Sequence, residues 1–422
     1  MVALLVAAYA TAFVDRQILT LLVEPVKRDL AITDTQFSLL AGLAFTFFYT
    51  VMGIPFAWLA DRGSRRNLVI GSLGFWSIAT AACGLAGSFL SLFLARVGVG
   101  VGEAGLSPAA YSMISDSFPP ERRARPLGVY ATGAILGVGL ALIIGGGVVH
   151  WATDAPPVVL PVVGELKTWQ LAFLVVSVPG PLLALLLLPI REPARHERTQ
   201  RVDGQSGPFR AFMRERWVAF ALLAFGFSLI GVAIAAYLSW APAFMMRVHG
   251  WSIGRIGAVY GAILLVFSTS GILAGGSWVD RLVARGAKDA VLRVVVRGSL
   301  LALPFAVGAP FAPTGEIAMA LVAVMSFFFG LTQGLPAAAF QAIAPNRVRA
   351  RVMALYLLVG NIIAFTIGPT GVALISDYWL RDPAKIGVAI GLLSALVVPL
   401  GVLAVLLARK TFLACVDAEE RA

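Results

Sequence analysis

About twelve stretches of some twenty apolar residues recur along this chain, near 2–23, 37–59, 68–87, 90–114, 127–149, 170–190, 217–239, 254–279, 291–311, 317–340, 352–375 and 386–407. A helix needs about 20 apolar residues to cross a hydrocarbon layer. In that layer only a helix or a closed barrel pairs every backbone N–H and C=O. Length and continuity of the runs therefore predict an all-α membrane protein with twelve transmembrane helices. The charged content agrees: 13% of the 422 residues are Asp, Glu, Lys or Arg, where a soluble domain carries about 25%.

The formal charge of +11 invites a nucleic-acid reading, and the placement of the charges argues against it. With Arg255 and Arg293, at span edges, counted in the connections they adjoin, even-numbered connections and the tail carry 23 Lys and Arg residues and odd-numbered ones carry 7, while Arg16, Arg96 and Arg297 lie well inside spans. Basic connections stay in the cytoplasm, so both termini are expected there, with a bacterial inner membrane the expected location. The first apolar run is too long for a signal-peptide core and contains Asp15-Arg16. The chain enters that run almost at once, so an N-terminal extension is expected ahead of it.

The longest basic connection, 191–216, has Gly204, Ser206 and Gly207 near its centre. It divides the chain into six-span bundles at 1–190 and 217–407, with a cytoplasmic tail at 408–422. The halves echo each other. Asp61-Arg62 follows span 2, and Asp280-Arg281 follows span 8. Pro120-Glu-Arg-Arg-Ala-Arg125 follows span 4, and Pro345-Asn-Arg-Val-Arg-Ala-Arg351 follows span 10. Duplicated bundles place their binding site near the membrane midplane at the repeat interface.

Four charges inside the first-half spans single out a candidate site. Charge at bilayer depth is expensive, so such groups face a bundle interior or a watery cavity and pair there. Asp15 and Arg16 are consecutive and point about 100° apart. Arg96 and Glu103, seven apart in Arg96-x-x-x-Gly100-x-Gly102-Glu103, share a helix face about 10 Å apart along the axis. One arrangement has Arg16 reaching Glu103 while Asp15 meets water. Burial and neighbouring guanidinium groups act oppositely on a carboxylate, so Asp15 and Glu103 are the candidate proton-coupling groups. Arg16, Arg96 and Glu103 are the candidate substrate contacts. A packing network without ligand is the alternative reading of the same residues.

Asp61-Arg62-Gly63-Ser64-Arg65-Arg66 reads as a charge-and-turn lock, its acid suited to a helix N-terminus and its arginines to acids on other helices. Asp61, Arg62, Arg65, Arg125, Asp280 and Arg281 are the candidate gating residues. Glycines in span 5 and Gly368-Pro369-Thr370-Gly371 in span 11 suit close crossing or a hinge. Spans 7, 8, 10, 11 and 12 hold no ionisable side chain at mid-depth. A cavity with a charged first-half wall and a greasy second-half wall suits an amphipath.

Enzymatic function is not expected. Gly98-Val-Gly-Val-Gly102 lies within a span, with no Lys-Ser/Thr following it, so it cradles no phosphate. Cys83, Cys415 and three scattered histidines form neither a disulfide framework nor a metal pattern. No cofactor is expected.

The twelve spans, the 6+6 repeat, the Asp61-Arg62 loop and the Arg96-x-x-x-Gly-x-Gly stretch together resemble the major facilitator superfamily over essentially the whole chain. The loop departs from that family's pattern at Ala57 and Ser64, where glycines are usual; Gly276-x-x-x-Asp280-Arg281 fits better. Within the superfamily the chain is similar to the spinster branch in Asp15-Arg16-Gln-Ile-Leu19, Ala60-Asp61-Arg62, Trp76-Ser77, Gly100-Val-Gly-Glu-Ala104, Ser107-Pro108 and Ile114-Ser-Asp-Ser-Phe-Pro119. The resemblance implies alternating access and a lysophospholipid or sphingolipid substrate, with proton coupling. The expected partners are that lipid-like substrate, protons and membrane lipids, with no nucleic acid, and the expected state is a monomer. Two alternatives stay open: a proton-coupled carrier of organic anions or drugs, and a non-transporting sensor or scaffold of the same fold.

Overall fold

A computed structural model describes residues 1–119, 122–154, 158–160, 164–195, 207–345 and 348–421. Twelve helices long and apolar enough to cross a membrane occur among the described residues. They begin with Val2–Leu21, Asp34–Arg62, Arg65–Gly84, Phe89–Ser117, Arg125–Asp154 and Thr168–Leu187. They continue with Phe209–His249, Ile253–Ala284, Ala290–Phe311, Gly315–Ile343, Arg351–Leu380 and Pro383–Glu419. Large apolar side chains such as Ile78 (71% exposed) and Leu273 (68% exposed) cover the outer faces. The outside is as greasy as the core, as lipid solvation demands. Two short strands, Val159–Leu160 and Gly164–Glu165, pair antiparallel between spans 5 and 6.

Polar residues set where helices start. Thr33 and Gln36 form a reciprocal capping box ahead of span 2, and the Ser64 hydroxyl accepts from Asn67 N at the start of span 3. Such caps satisfy otherwise orphaned backbone donors. Several spans are broken. Span 2 divides at Gly42, and span 4 between Glu103 and Leu106. Span 8 contains a π-helical turn at Leu264–Ser268, and span 11 contains two, at Ile363–Ile367 and Ile375–Leu380. Irregular helix at membrane depth belongs where protein or a watery cavity can take the freed backbone groups.

The chain forms two compact units. The first comprises Met1–Arg198, Ala241–Leu265 and Ser376–Pro383, so it takes in short pieces of the second sequence half. Its core gathers Leu5, Ala8, Ala12, Leu73, Trp76, Met113 and Tyr130. The second comprises Thr199–Trp240, Val266–Ile375 and Ala384–Ala422. There Phe220 and Phe227 pack on Phe340, and Trp240 Nε1 donates to Pro369 O at 2.9 Å.

Helix extends beyond the apolar runs at both ends of the second half. The connection expected over 191–216 is helical from Gly207, within the single helix Gly207–His249, and 196–206 lie outside the described residues. The tail expected over 408–422 continues the last helix to Arg421. Both extensions bury apolar side chains, Phe212 and Phe412, and they meet through Arg216 Nη1 and Glu419 Oε1 at 2.6 Å.

Candidate functional site

Close packing of span 4 brings the four intramembrane charges together. A Cβ on Gly100 would lie 2.6 Å from Phe45 O of span 2, and one on Gly102 would lie 2.7 Å from Trp76 Cβ of span 3. Glycine at these two positions is thus what lets span 4 sit against both neighbours. Arg96 and Glu103 are consequently buried against span 1.

Arg16 Nε donates to Glu103 Oε2 at 2.6 Å, with side-chain exposures of 19% and 0%. The guanidinium also lies 5.0, 4.6 and 4.5 Å from the ring centres of Phe13, Phe45 and Tyr49. This aromatic frame suits a cation that is only partly hydrated. Arg96 makes different contacts. Its Nη1 donates to Asp15 O at 3.2 Å and its Nε to Leu40 O at 3.4 Å. Leu40 is in the last turn before the span 2 break, where carbonyls lose their helical partners.

Asp15 differs from the expected arrangement. It is 1% exposed, so it does not meet water, and neither carboxylate oxygen has a hydrogen-bond partner. The reason is helical geometry: with Arg16 turned to Glu103, the adjacent side chain points into the packed face of span 3. Trp76 Nε1 and Thr80 Oγ1 of span 3 are the donors that face its carboxylate, outside good hydrogen-bond geometry. Trp76 and Thr80 are four apart on one face of span 3, a spacing readable in the sequence. The face shared by Arg96 and Glu103 does not produce an Arg96–Glu103 hydrogen bond. Glu103 is taken by Arg16, and Arg96 by carbonyls.

Among the described residues, the structure brings one of the six candidate gating residues into an ionic hub. Arg65 is 1% exposed; its guanidinium pairs with Asp116 and, at 3.2 Å, with Glu192. It also donates to Ser112 Oγ at 3.0 Å and Pro193 O at 2.7 Å. Glu192 further accepts from Ser64 Oγ and from Arg65 N at 2.9 Å, so it sits at the N-terminus of span 3. Partial burial pushes Glu192 upward, yet the hydrogen bonds from Ser64 and Arg65 hold it below the usual carboxylate range. Asp61 contributes its backbone carbonyl, to Arg195; its carboxylate is exposed and has no ion pair among the described residues. Arg62 lies over Trp58 at 4.1 Å. Arg125, Asp280 and Arg281 are exposed and likewise enter no ion pair among the described residues. The buried ionic hub thus falls on Arg65, itself one of the six, and not on Asp61-Arg62. The buried member is Arg65, at the start of span 3, whose side chain lies between Asp116 at the end of span 4 and Glu192 just beyond span 6.

In the second unit the hub is Asp289, 2% exposed, held by Arg293 Nε at 2.6 Å and by Arg409 Nε. Burial pushes Asp289 upward, and the Arg409 and Arg293 guanidinium groups outweigh it, holding the carboxyl below the usual range. Another cluster, Glu24, Lys27, Asp34 and Arg247, was not among the candidates. The sequence does hold a signal for it: Thr33-Asp-Thr-Gln36 is a capping-box pattern that places Asp34 in the first turn of a helix. No group of three or more His, Cys, Asp or Glu side chains converges on a metal position among the described residues.

A profile described as Major Facilitator Superfamily matches residues 5–369. An MFS-type efflux pump of Mycolicibacterium smegmatis is 32% identical over 88% of this chain and 82% of its own length. A probable sulfoacetate transporter of Cupriavidus necator is 28% identical over 76% of this chain and 74% of its own. A crystal structure of a bacterial homologue of the human lysosomal transporter spinster, inward-facing and unoccupied, superposes with a TM-score of 0.84 at 27% identity. That superposition covers 98% of this chain and 97% of the homologue.

Proposed function

This chain belongs to the major facilitator superfamily and is a secondary transporter of a small molecule, and we propose that its cargo is an amphipathic anion of the single-chain lipid class. The observation that carries the reading is the Arg16–Glu103 pair. Arg16 keeps 19% of its side chain exposed while Glu103 is sealed behind it. Arg16 therefore offers free donors of its guanidinium to an incoming phosphate or carboxylate, and Glu103 is the internal anion that holds the place between cycles. Asp15 and Glu103 are the proton-responsive pair: burial makes each carboxylate costly when charged, and of the two only Glu103 has a guanidinium hydrogen bond to offset that cost, so the charge state of each tracks its surroundings. Arg96 orders the span 1 and span 2 carbonyls around them. Arg65, with Glu192 and Asp116, acts as the gating lock on the side of the basic connections.

The alkyl chain supplies affinity only for cargo drawn from water, at about 0.8 kcal/mol per methylene. Cargo already dissolved in the bilayer gains little from it, so the headgroup contacts dominate selectivity. A second reading, a carrier of small organic anions, is favoured by the similarity to the probable sulfoacetate transporter. Competition binding separates the two. A radiolabelled lysophosphatidic acid bound to the purified protein in nanodiscs is challenged with unlabelled lysolipid or with sulfoacetate. Displacement by lysolipid alone, and its loss in Arg16→Ala, fits the lipid reading. Equal displacement by sulfoacetate promotes the organic-anion carrier.

A further inference from the structure

The first unit holds a second ionic assembly at the end opposite the Arg65 lock, on odd-numbered connections. Arg247, at the end of span 7, donates through Nε to Glu24 at 2.6 Å. Its Nη1 and Nη2 grip both oxygens of Asp34 at 2.7 Å each. Asp377, near the end of span 11, accepts from Thr35 N and Thr35 Oγ1, both at 2.7 Å. Besides Ser376 Oγ, which donates to Asp34 Oδ2 at 3.5 Å, two side chains of the second sequence half, Arg247 and Asp377, thus hold one short piece of the first, the 1–2 connection and the start of span 2. One does so by a bidentate fork and the other by capping a helix N-terminus, both strong geometries.

Each gripped group also has a local partner that belongs to the 1–2 connection itself. Asp34 has no exposed side-chain surface and is held by Lys27 as well as by Arg247. The start of span 2 keeps the Thr33–Gln36 capping box whether or not Asp377 is present. Glu24 is 42% exposed and returns to water on release. The connection is itself tied to the first half, since Trp169 Nε1 donates to Asp29 at 2.9 Å. Removing one partner of a buried pair is severe because it strands the other. Here Lys27 stays with Asp34 when Arg247 leaves.

We infer that Arg247 and Asp377 form a releasable latch on the 1–2 connection, and that Lys27 is the resident counter-ion that makes release affordable. Arg247 and Asp377 therefore stabilise the state closed at this end. Lys27 stabilises the open state relative to the closed one, because it matters most when Arg247 is gone. The inference rests on the transporter assignment and is independent of the cargo.

The test reads the conformation of the full chain in nanodiscs without substrate. Spin labels replace the exposed Arg28 and Tyr378 (Arg28→Cys, Tyr378→Cys), and pulsed dipolar spectroscopy gives the distance distribution. Arg247→Ala and the milder Asp377→Asn are expected to raise the ratio of long to short distances roughly fivefold or more. Adding Lys27→Met to Asp377→Asn is expected to reverse a large part of that rise. The opposite sign is the informative result, since a purely structural cluster loosens whichever member is removed. Unchanged distances in Asp377→Asn would overturn the latch. Further opening on adding Lys27→Met would overturn the role given to Lys27.

Discussion

Removing the two partners of the Arg16–Glu103 pair should have unequal and differently pH-dependent consequences. Arg16→Ala strands Glu103, whose side chain has no exposed surface. Breaking a buried pair this way costs about 3–5 kcal/mol. A stranded glutamate has an escape, because it can bind a proton. Starting from an ordinary glutamate pKa of about 4.3, protonation costs about 3.7 kcal/mol at pH 7 and about 1 kcal/mol at pH 5. The loss in Arg16→Ala is thus capped near 3.7 kcal/mol at neutral pH, and the cap falls by about 1.4 kcal/mol per pH unit. Glu103→Ala strands Arg16, which cannot shed its proton. Arg16 is 19% exposed, so its loss is smaller, about 2–3 kcal/mol, and flat between about pH 5 and 7. Chemical unfolding in mixed micelles across that range, compared with the wild type, measures both. The double variant strands nothing and should lose less than Arg16→Ala alone at pH 7. A deficit in Arg16→Ala that stays constant on acidification would refute the reasoning, as would a double variant whose loss is the sum of the singles.

Arg65→Ala should cost about 2–4 kcal/mol of unfolding free energy by releasing partly buried Asp116 and Glu192, while Asp61→Ala should stay within about 0.5 kcal/mol; thermal unfolding in detergent separates them. The lowered Glu192 carboxyl gives stability that is complete above the ordinary glutamate range and is lost as pH falls through its lowered value. The midpoint difference between wild type and Glu192→Gln should therefore be constant above about pH 5 and shrink below it. Asp15→Asn mimics the protonated acid, so it should fold as well as the wild type at pH 7 and show a conformational equilibrium that no longer responds to pH. Distance measurements across pH 5 to 8 check that.

The twelve spans were legible because bilayer thickness sets a length that hydropathy reports directly. The Arg16–Glu103 contact was legible too, since opposite charges at membrane depth must find each other. The orientation of Asp15 was not. Adjacent residues on a helix diverge, and which of them meets water depends on the packing of span 3, where Gly102 admits Trp76. Among the candidates for a lock, Asp61-Arg62 is the conspicuous pair in the sequence, but Arg65 is the side chain whose helix position points inward to an ionic hub. Glu192, Asp116, Asp289 and Arg247 acquire meaning only from partners more than a hundred residues away or on other elements, which spacing cannot reveal. The helical extensions at 207–216 and 408–421 were hidden by their charge, because Arg216 and Glu419 look solvated until they are seen to face each other.

The most direct test is flux. Protein reconstituted into liposomes is offered fluorescent lysophosphatidic acid and, in parallel, radiolabelled sulfoacetate, each with and without an imposed pH gradient. The account predicts movement of the lysolipid that responds to the gradient, is lost in Arg16→Ala, and loses its pH response in Asp15→Asn and Glu103→Gln. Gradient-driven uptake of sulfoacetate with no lysolipid movement, or a pH response that survives in both carboxylate variants, would contradict it.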